Sequence, residues 1–211
     1  MADFNKLKDL MINMDETEVY RILTKIIDDG GSDAAAALEV LQEAMTEIGN
    51  RYENGAYFIG DLLFSGDIMQ KCVEILKPAL NAGALTGMGK VIICTVKGDI
   101  HDIGKNIVKS MLEAAGFDVI DLGIDVKPET IVQTAQDEDV RIVALSGVLT
   151  LALRSMQDVV DAFVAAGTRD AVKIIIGGNP VTADACVAIG ADEWANSPQK
   201  GIEVCRTWAV A

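Results

Sequence analysis

His101 is the only histidine in the chain. Any site that needs two imidazoles, such as a histidine-rich zinc centre or a carboxylate-bridged histidine pair, is therefore excluded. Whatever imidazole chemistry the protein performs passes through this one ring. It stands in Lys97-Gly98-Asp99-Ile100-His101-Asp102-Ile103-Gly104-Lys105, where Asp99 or Asp102 could hydrogen-bond it in an exposed loop. Two other stretches, Ser146-Gly147-Val148-Leu149-Thr150 and Gly177-Gly178-Asn179-Pro180, likewise follow short runs of β-branched and other apolar residues. Ser146 reads equally well as a buried hydroxyl bonded to backbone, and the glycine pair as a strand-to-helix turn. The cysteines at 72, 94, 186 and 205 form no CxxC and no close pair, which argues against a disulfide framework or a thiolate zinc knot and fits a reducing compartment.

The elements that must position these residues change character near residue 88. Before it, apolar residues recur at three and four: Leu7, Leu10, Met11 and Met14, then Val19, Ile22, Leu23, Ile26 and Ile27, then Leu38, Leu41, Met45 and Ile48. Turn residues at 28–32 and 53–56 break the pattern, with Ser32 or Asp33 as a cap. Four helices are predicted, near 4–14, 16–29, 33–53 and 58–81, and their short connections make an antiparallel bundle. The glycine-bearing stretch 81–90 reads as a linker. Beyond it strands at 91–96, 118–122, 142–145, 173–176 and 193–195 alternate with helices at 103–115, 128–137, 153–166, 182–189 and 198–209. Gly116 and Gly167 suit helix C-caps and Pro128 a helix start. We therefore expect an α/β protein of two domains, a four-helix bundle cap over 1–88 and a flavodoxin-like, doubly wound parallel five-stranded sheet over 89–211. Ligands of such a sheet bind beyond the carboxyl ends of the strands where the winding reverses, here between the first and third strands. His101 falls at that place.

Acidic residues outnumber basic ones by 32 to 18, so the net charge of −14 argues against nucleic acid and anionic membranes as partners. The first twenty residues lack an apolar signal core and no run is long enough to span a membrane, so the expected location is the cytoplasm.

Asp99-x-His101-x-x-Gly104, followed by Ser146-x-x-Leu149-Thr150 and by Gly177-Gly178, resembles the base-off, histidine-on cobalamin-binding fold of methionine synthase, corrinoid mutases and the small corrinoid proteins of methyltransferase systems. The three elements come in the family's order, each after a predicted strand. Gly49-x-x-Tyr52-x-x-Gly55-x-x-Phe58, and Leu62-Leu63 followed by Met69, resemble the helical cap of the methyl-carrying members. The similarity covers nearly the whole chain and is nearest to the small corrinoid methyl carriers.

The resemblance implies the roles of the site residues. His101 supplies the one axial ligand that cobalt in a corrin lacks, and Asp99 accepts a hydrogen bond from its other ring nitrogen. On reduction to Co(I) the axial bond is lost, and the His–Asp pair can take up a proton. Gly98, Asp102, Ile103 and Gly104 bring backbone to the corrin. Ser146, Leu149, Thr150, Gly177 and Gly178 line the slot for the nucleotide tail. Met69, with Leu62 and Phe64, shields the upper face or is plain bundle core. The sequence departs from the family at Ala152, where methionine synthase-like members extend the His–Asp relay with a hydroxyl, and at Asn50, where a glutamate often follows the cap glycine.

The implied function is that of a methyl-carrier subunit rather than a stand-alone enzyme. A donor-side methyltransferase loads the cobalt, and an acceptor-side methyltransferase passes the methyl group to tetrahydrofolate or coenzyme M. A reductive activator rescues Co(II). The bundle acts as a lid with 81–90 as its hinge. Donors of related systems are methanol, methylamines, betaines, methyl thiols and phenyl methyl ethers, the last being the first expectation. The alternative is a cobalamin-dependent sensor or regulatory domain, though the acidic charge does not suit DNA binding. A phosphorylated signalling receiver would need an aspartate where Ser146 ends the third strand.

Overall fold

The computed structural model describes residues 3–80 and 88–209. The chain divides into two compact units, one of Met1–Gly87 with Ser110–Phe117 and one of Met88–Lys109 with Asp118–Ala211. Residues 81–87 of the expected linker lie outside the described residues.

The first unit holds four helices, α1 (Phe4–Ile12), α2 (Glu16–Asp28), α3 (Ala34–Glu53) and α4 (Ile59–Leu76). The Asp3 and Asp15 side chains cap α1 and α2 by accepting from the Lys6 and Glu18 N–H groups. Each helix buries the face that its apolar spacing defines, with Leu7 and Met11, Val19 and Leu23, Leu41 and Ile48, and Ile68 and Cys72 all fully enclosed. Two ends differ from the sequence reading. α1 stops at Ile12 because Met14 turns to a φ of 57°. α4 stops at Leu76 and gives way to one 3₁₀ turn over Lys77–Ala79, since Pro78 has no N–H to donate.

The second unit is a five-stranded parallel sheet in the order β2-β1-β3-β4-β5, formed by β1 (Lys90–Val96), β2 (Asp118–Val126), β3 (Ile142–Ser146), β4 (Lys173–Gly177) and β5 (Glu193–Ala195). The intervening helices are α5 (Ile103–Ala114), α6 (Pro128–Asp137), α7 (Ala152–Ala165), α8 (Ala183–Ile189) and α9 (Pro198–Ala209). One apolar cluster joins Ile92, Cys94 and Val96 of β1 to Ile131 on α6, Met156 and Phe163 on α7, and Cys186 on α8. Those three helices therefore cover one face of the sheet, and α5 and α9 are left for the other.

β2 runs four residues further than the sequence suggests. Gly123 is absorbed by a bulge, because Ile93 pairs with Asp121 and Cys94 with Gly123. A second register shift follows before Val96 pairs with Val126. The winding reverses between β1 and β3, as expected, so the loops after β1, β2 and β3 emerge side by side.

Candidate functional site

The loop after β1 carries Gly98, Asp99 and His101, and its shape is set by hydrogen bonds to Asp99. This carboxylate is fully buried, whereas the His101 side chain is 48% exposed. Asp99 Oδ1 accepts from the His101 backbone N–H at 3.0 Å and lies 2.9 Å from His101 Nδ1, so the ring is held by Asp99 and not by Asp102. Asp99 Oδ2 accepts from the backbone N–H groups of Val148 and Leu149 at 2.7 and 3.0 Å. Burial on its own would raise the carboxyl's pKa, but the N–H donors of Leu149, His101 and Val148, with the ring, outweigh it and hold it down at about 2. At neutral pH Asp99 is a charged acceptor and nothing else. His101 Nδ1 must then be the donor, which leaves Nε2 of the neutral ring with its lone pair turned from Asp99.

Asp102 has a different job: its carbonyl and carboxylate accept from the backbone and side chain of Asn106, in the first turn of α5. Ile103 and Gly104 open that helix, and a Cβ built on Gly104 or on Gly98 meets nothing within 4 Å. The backbone at both positions thus faces open space.

Ser146 ends β3 in register between Thr95 and Gly177. Thr150 lies in the turn before α7, its carbonyl accepting from Leu153 N–H. Gly178 has a φ of +124°, and a Cβ there would fall 1.8 Å from the Gly147 carbonyl oxygen, so the loops after β3 and β4 touch through two glycines. Met69 is apart from these residues in the sequence and 1% exposed, within the buried face of α4.

The same edge of the sheet is apolar. Of the twelve large hydrophobic side chains exposed among the described residues, Ile100, Ile103, Ile124, Val148, Leu149 and Leu151 all lie at or just beyond the ends of β1, β2 and β3. Six apolar side chains left in water at the strand ends whose first loop bears a half-exposed histidine mark a surface suited to being covered. Among the described residues no three His, Cys, Asp or Glu side chains come together to hold a metal ion, and the four cysteines are free and buried.

Sequence reasoning missed the Val148 and Leu149 amides, since backbone donors leave no trace in residue type. It also missed Thr95, a lone hydroxyl in an apolar strand whose Oγ1 donates to the Asp99 carbonyl at 2.5 Å, and the ion pair of Lys105 with Asp121 at 2.7 Å.

A family model described as a B12 binding domain matches residues 89–200, and another of the same description matches residues 3–77. A corrinoid protein of Desulfitobacterium hafniense (strain Y51) is 31% identical over 207 residues, 97% of this chain and 96% of its own length. Trimethylamine corrinoid protein 1 of Methanosarcina acetivorans is 34% identical over 194 residues, covering 91% of this chain and 90% of its own. The 1.5 Å crystal structure of a novel cobalamin-binding protein from Desulfitobacterium hafniense DCB-2 matches with a TM-score of 0.86 at 42% identity, over 99% of both chains.

Proposed function

The chain belongs to the B12-binding family and, within it, to the corrinoid proteins of methyltransferase systems, and from that premise we propose that it carries a methyl group on the cobalt of a corrinoid between a donor-side and an acceptor-side methyltransferase. The observation that carries this reading is the half-exposed His101, held at Nδ1 by a buried carboxylate, with exposed apolar side chains at the same strand ends.

The residues present fit the group. A corrin would bring its own nitrogen donors to the metal, so a chain with a single histidine would be able to supply the protein's donor. His101 would hold the cobalt through Nε2, and Asp99 would fix the ring's tautomer and orientation. Gly98 and Gly104, with open space where a Cβ would stand, would admit the flat macrocycle close to the backbone. Ile100, Ile103, Val148 and Leu149 would cover its apolar edge and keep water out. Ser146, Thr150, Gly177 and Gly178, at the ends of β3 and β4 or just beyond, are the residues we assign to the nucleotide tail, with Asp102 holding the start of α5. Met69 is assigned to shielding the methyl-bearing face, in competition with its place in the α4 core. When bound, the corrinoid supplies a cobalt able to accept a methyl group and give it up.

The carrier role leaves chemistry on the donor and acceptor to other proteins. We assign it two methyltransferases and a reductive activator of Co(II) as partners, with tetrahydrofolate or coenzyme M as final acceptor. Among donors we put N-methyl compounds first, ahead of phenyl methyl ethers, a choice supported by the relative named for trimethylamine.

Reconstitution with hydroxocobalamin followed by reduction to Co(II) tests the axial ligand. In ¹⁵N-labelled protein, electron paramagnetic resonance should show the doublet coupling of one protein nitrogen, and His101→Ala should abolish it. Unchanged coupling in the variant would remove His101 from the site.

A further inference from the structure

Asp99 fixes the histidine ring, and Asp99 is itself fixed from behind. Thr95, near the end of β1, is fully buried and is the only hydroxyl in that strand. Its Oγ1 donates to the Asp99 carbonyl oxygen at 2.5 Å and accepts the Asp125 N–H at 2.9 Å. The Asp125 N–H also lies 3.1 Å from the Asp99 carbonyl, and Asp125 Oδ1 accepts the Gly98 N–H at 2.7 Å. The Asp99 N–H closes the turn on the Val96 carbonyl at 3.0 Å. Every polar backbone atom of Asp99 is thereby tied to β1 or to the end of β2.

Asp125 reaches this place through the second register shift of β2, with a φ of 54°. That left-handed conformation is uncommon for a residue with a side chain, and Asp and Asn tolerate it best. The observed outlier points to a local demand for an acceptor at this position. The hydrogen bonds of Thr95 and Asp125 go to the backbone of Asp99 and Gly98, not to the ring.

We propose that Thr95 and Asp125 are positioning residues for His101, which set the aim and tautomer of its ring by clamping the peptide of Asp99 between β1 and β2. The link to cobalt rests on His101 being the axial ligand, and the effect on the ring does not. The Nδ1 contact spans two residues of one loop, so a small rotation of the Asp99 peptide swings its carboxylate off the ring. Thr95→Val keeps the shape of the side chain and removes the hydroxyl, leaving the Asp99 carbonyl and the Asp125 N–H with only their 3.1 Å contact to each other.

The single histidine makes the ring readable without any cofactor, because the protein gives one set of imidazole ¹⁵N signals. In the cofactor-free protein with a neutral ring, the wild type is expected to be mainly the Nδ1–H tautomer. Loss of one hydrogen bond of about 1 kcal/mol should raise the Nε2–H form about 5-fold in Thr95→Val and in Asp125→Ala. Thr95→Ser and Asp125→Asn, which keep the hydroxyl and the acceptor, should restore the wild-type ratio. With hydroxocobalamin bound to the ¹⁵N-labelled protein and reduced, the fraction of Co(II) showing ¹⁵N coupling should fall in the first pair and return in the second. Wild-type tautomer ratios in both Thr95→Val and Asp125→Ala would overturn the proposal. Should Thr95→Val fail to fold, the exposed Asp125 position decides alone. If tautomer ratios shift as stated but the loaded wild type shows no ¹⁵N coupling, the assignment of His101 to cobalt fails while the clamp on its ring stands.

Discussion

A buried carboxylate that can only accept hydrogen bonds dictates what the ring beside it must do. Asp99 receives four N–H groups, two from His101 and two from the loop after β3, and so fixes His101 as a donor at Nδ1. Backbone amides of Val148 and Leu149 occupy the second oxygen, where the family resemblance led us to look for a hydroxyl and the sequence has Ala152. Ala152 is instead buried, 2% exposed, at the start of α7. Gly104 allows the roles of fold and ligand to be separated, because nothing in the protein crowds it. Gly104→Leu should leave the stability of the cofactor-free protein within about 0.5 kcal/mol, as exposed substitutions do. Its affinity for hydroxocobalamin in equilibrium dialysis should fall at least ~10-fold, the cost of about 1.4 kcal/mol of steric conflict. Equal affinity would mean that no ligand approaches this backbone. His101, Asp99 and Gly104 were legible because a rare residue type, its neighbours and its place after a strand all pointed one way. Val148 was not, since its contribution is an N–H that every residue but proline owns.

β2 shows how an element can hide part of its work. The run of apolar residues predicts a strand over 118–122 only. The irregular register with β1 carries the strand on to Val126 and delivers Asp125 to the loop that bears the histidine. The same strand anchors α5. Lys105 on that helix, with its side chain 3% exposed, donates to both oxygens of Asp121 at 2.8 and 2.7 Å, and Lys109 lies 3.6 Å from the same carboxylate. Burial opposes the charge on Asp121, but the Lys105 hydrogen bond and the Gly123 N–H prevail and hold its pKa below the usual carboxylate range. The two sides of this pair are not equivalent. Asp121→Asn leaves a buried ammonium without its counter-charge and should cost about 3 kcal/mol in urea unfolding, whereas Lys105→Met leaves Asp121 with Lys109 and should cost about 1. The reverse order would show that the carboxylate, not the ammonium, is the stranded charge.

At the scale of the whole chain, the spacing of cysteines alone argued against a disulfide framework, and the fold gives the thiols no access to reagents. Cys72, Cys94 and Cys205 are pushed up to about 12 by burial, and burial raises Cys186 too. The native protein should therefore react with far less than one equivalent of 5,5′-dithiobis(2-nitrobenzoate) on the time scale of mixing, and the guanidinium-unfolded chain with all four thiols. Fast reaction of the native protein would place a cysteine at the surface. Among the described residues no helix is long and apolar enough to cross a membrane. The order of helices and strands, the winding reversal between β1 and β3, and the residues at the strand ends were all determined by the sequence alone. Hydrophobic period, turn residues and chain order are local properties, the parallel crossover rule narrows them to a few topologies, and the flavodoxin-like order among these has the reversal seen. The tertiary structure decided which carboxylate holds the ring, which amides hold that carboxylate, and how a bulge brings Asp125 against Thr95. The ring contact is local, two residues apart, but the contacts that fix its carboxylate and place Asp125 join residues 27 to 50 positions apart, and no local pattern encodes a distance between strands that only the folded sheet brings together.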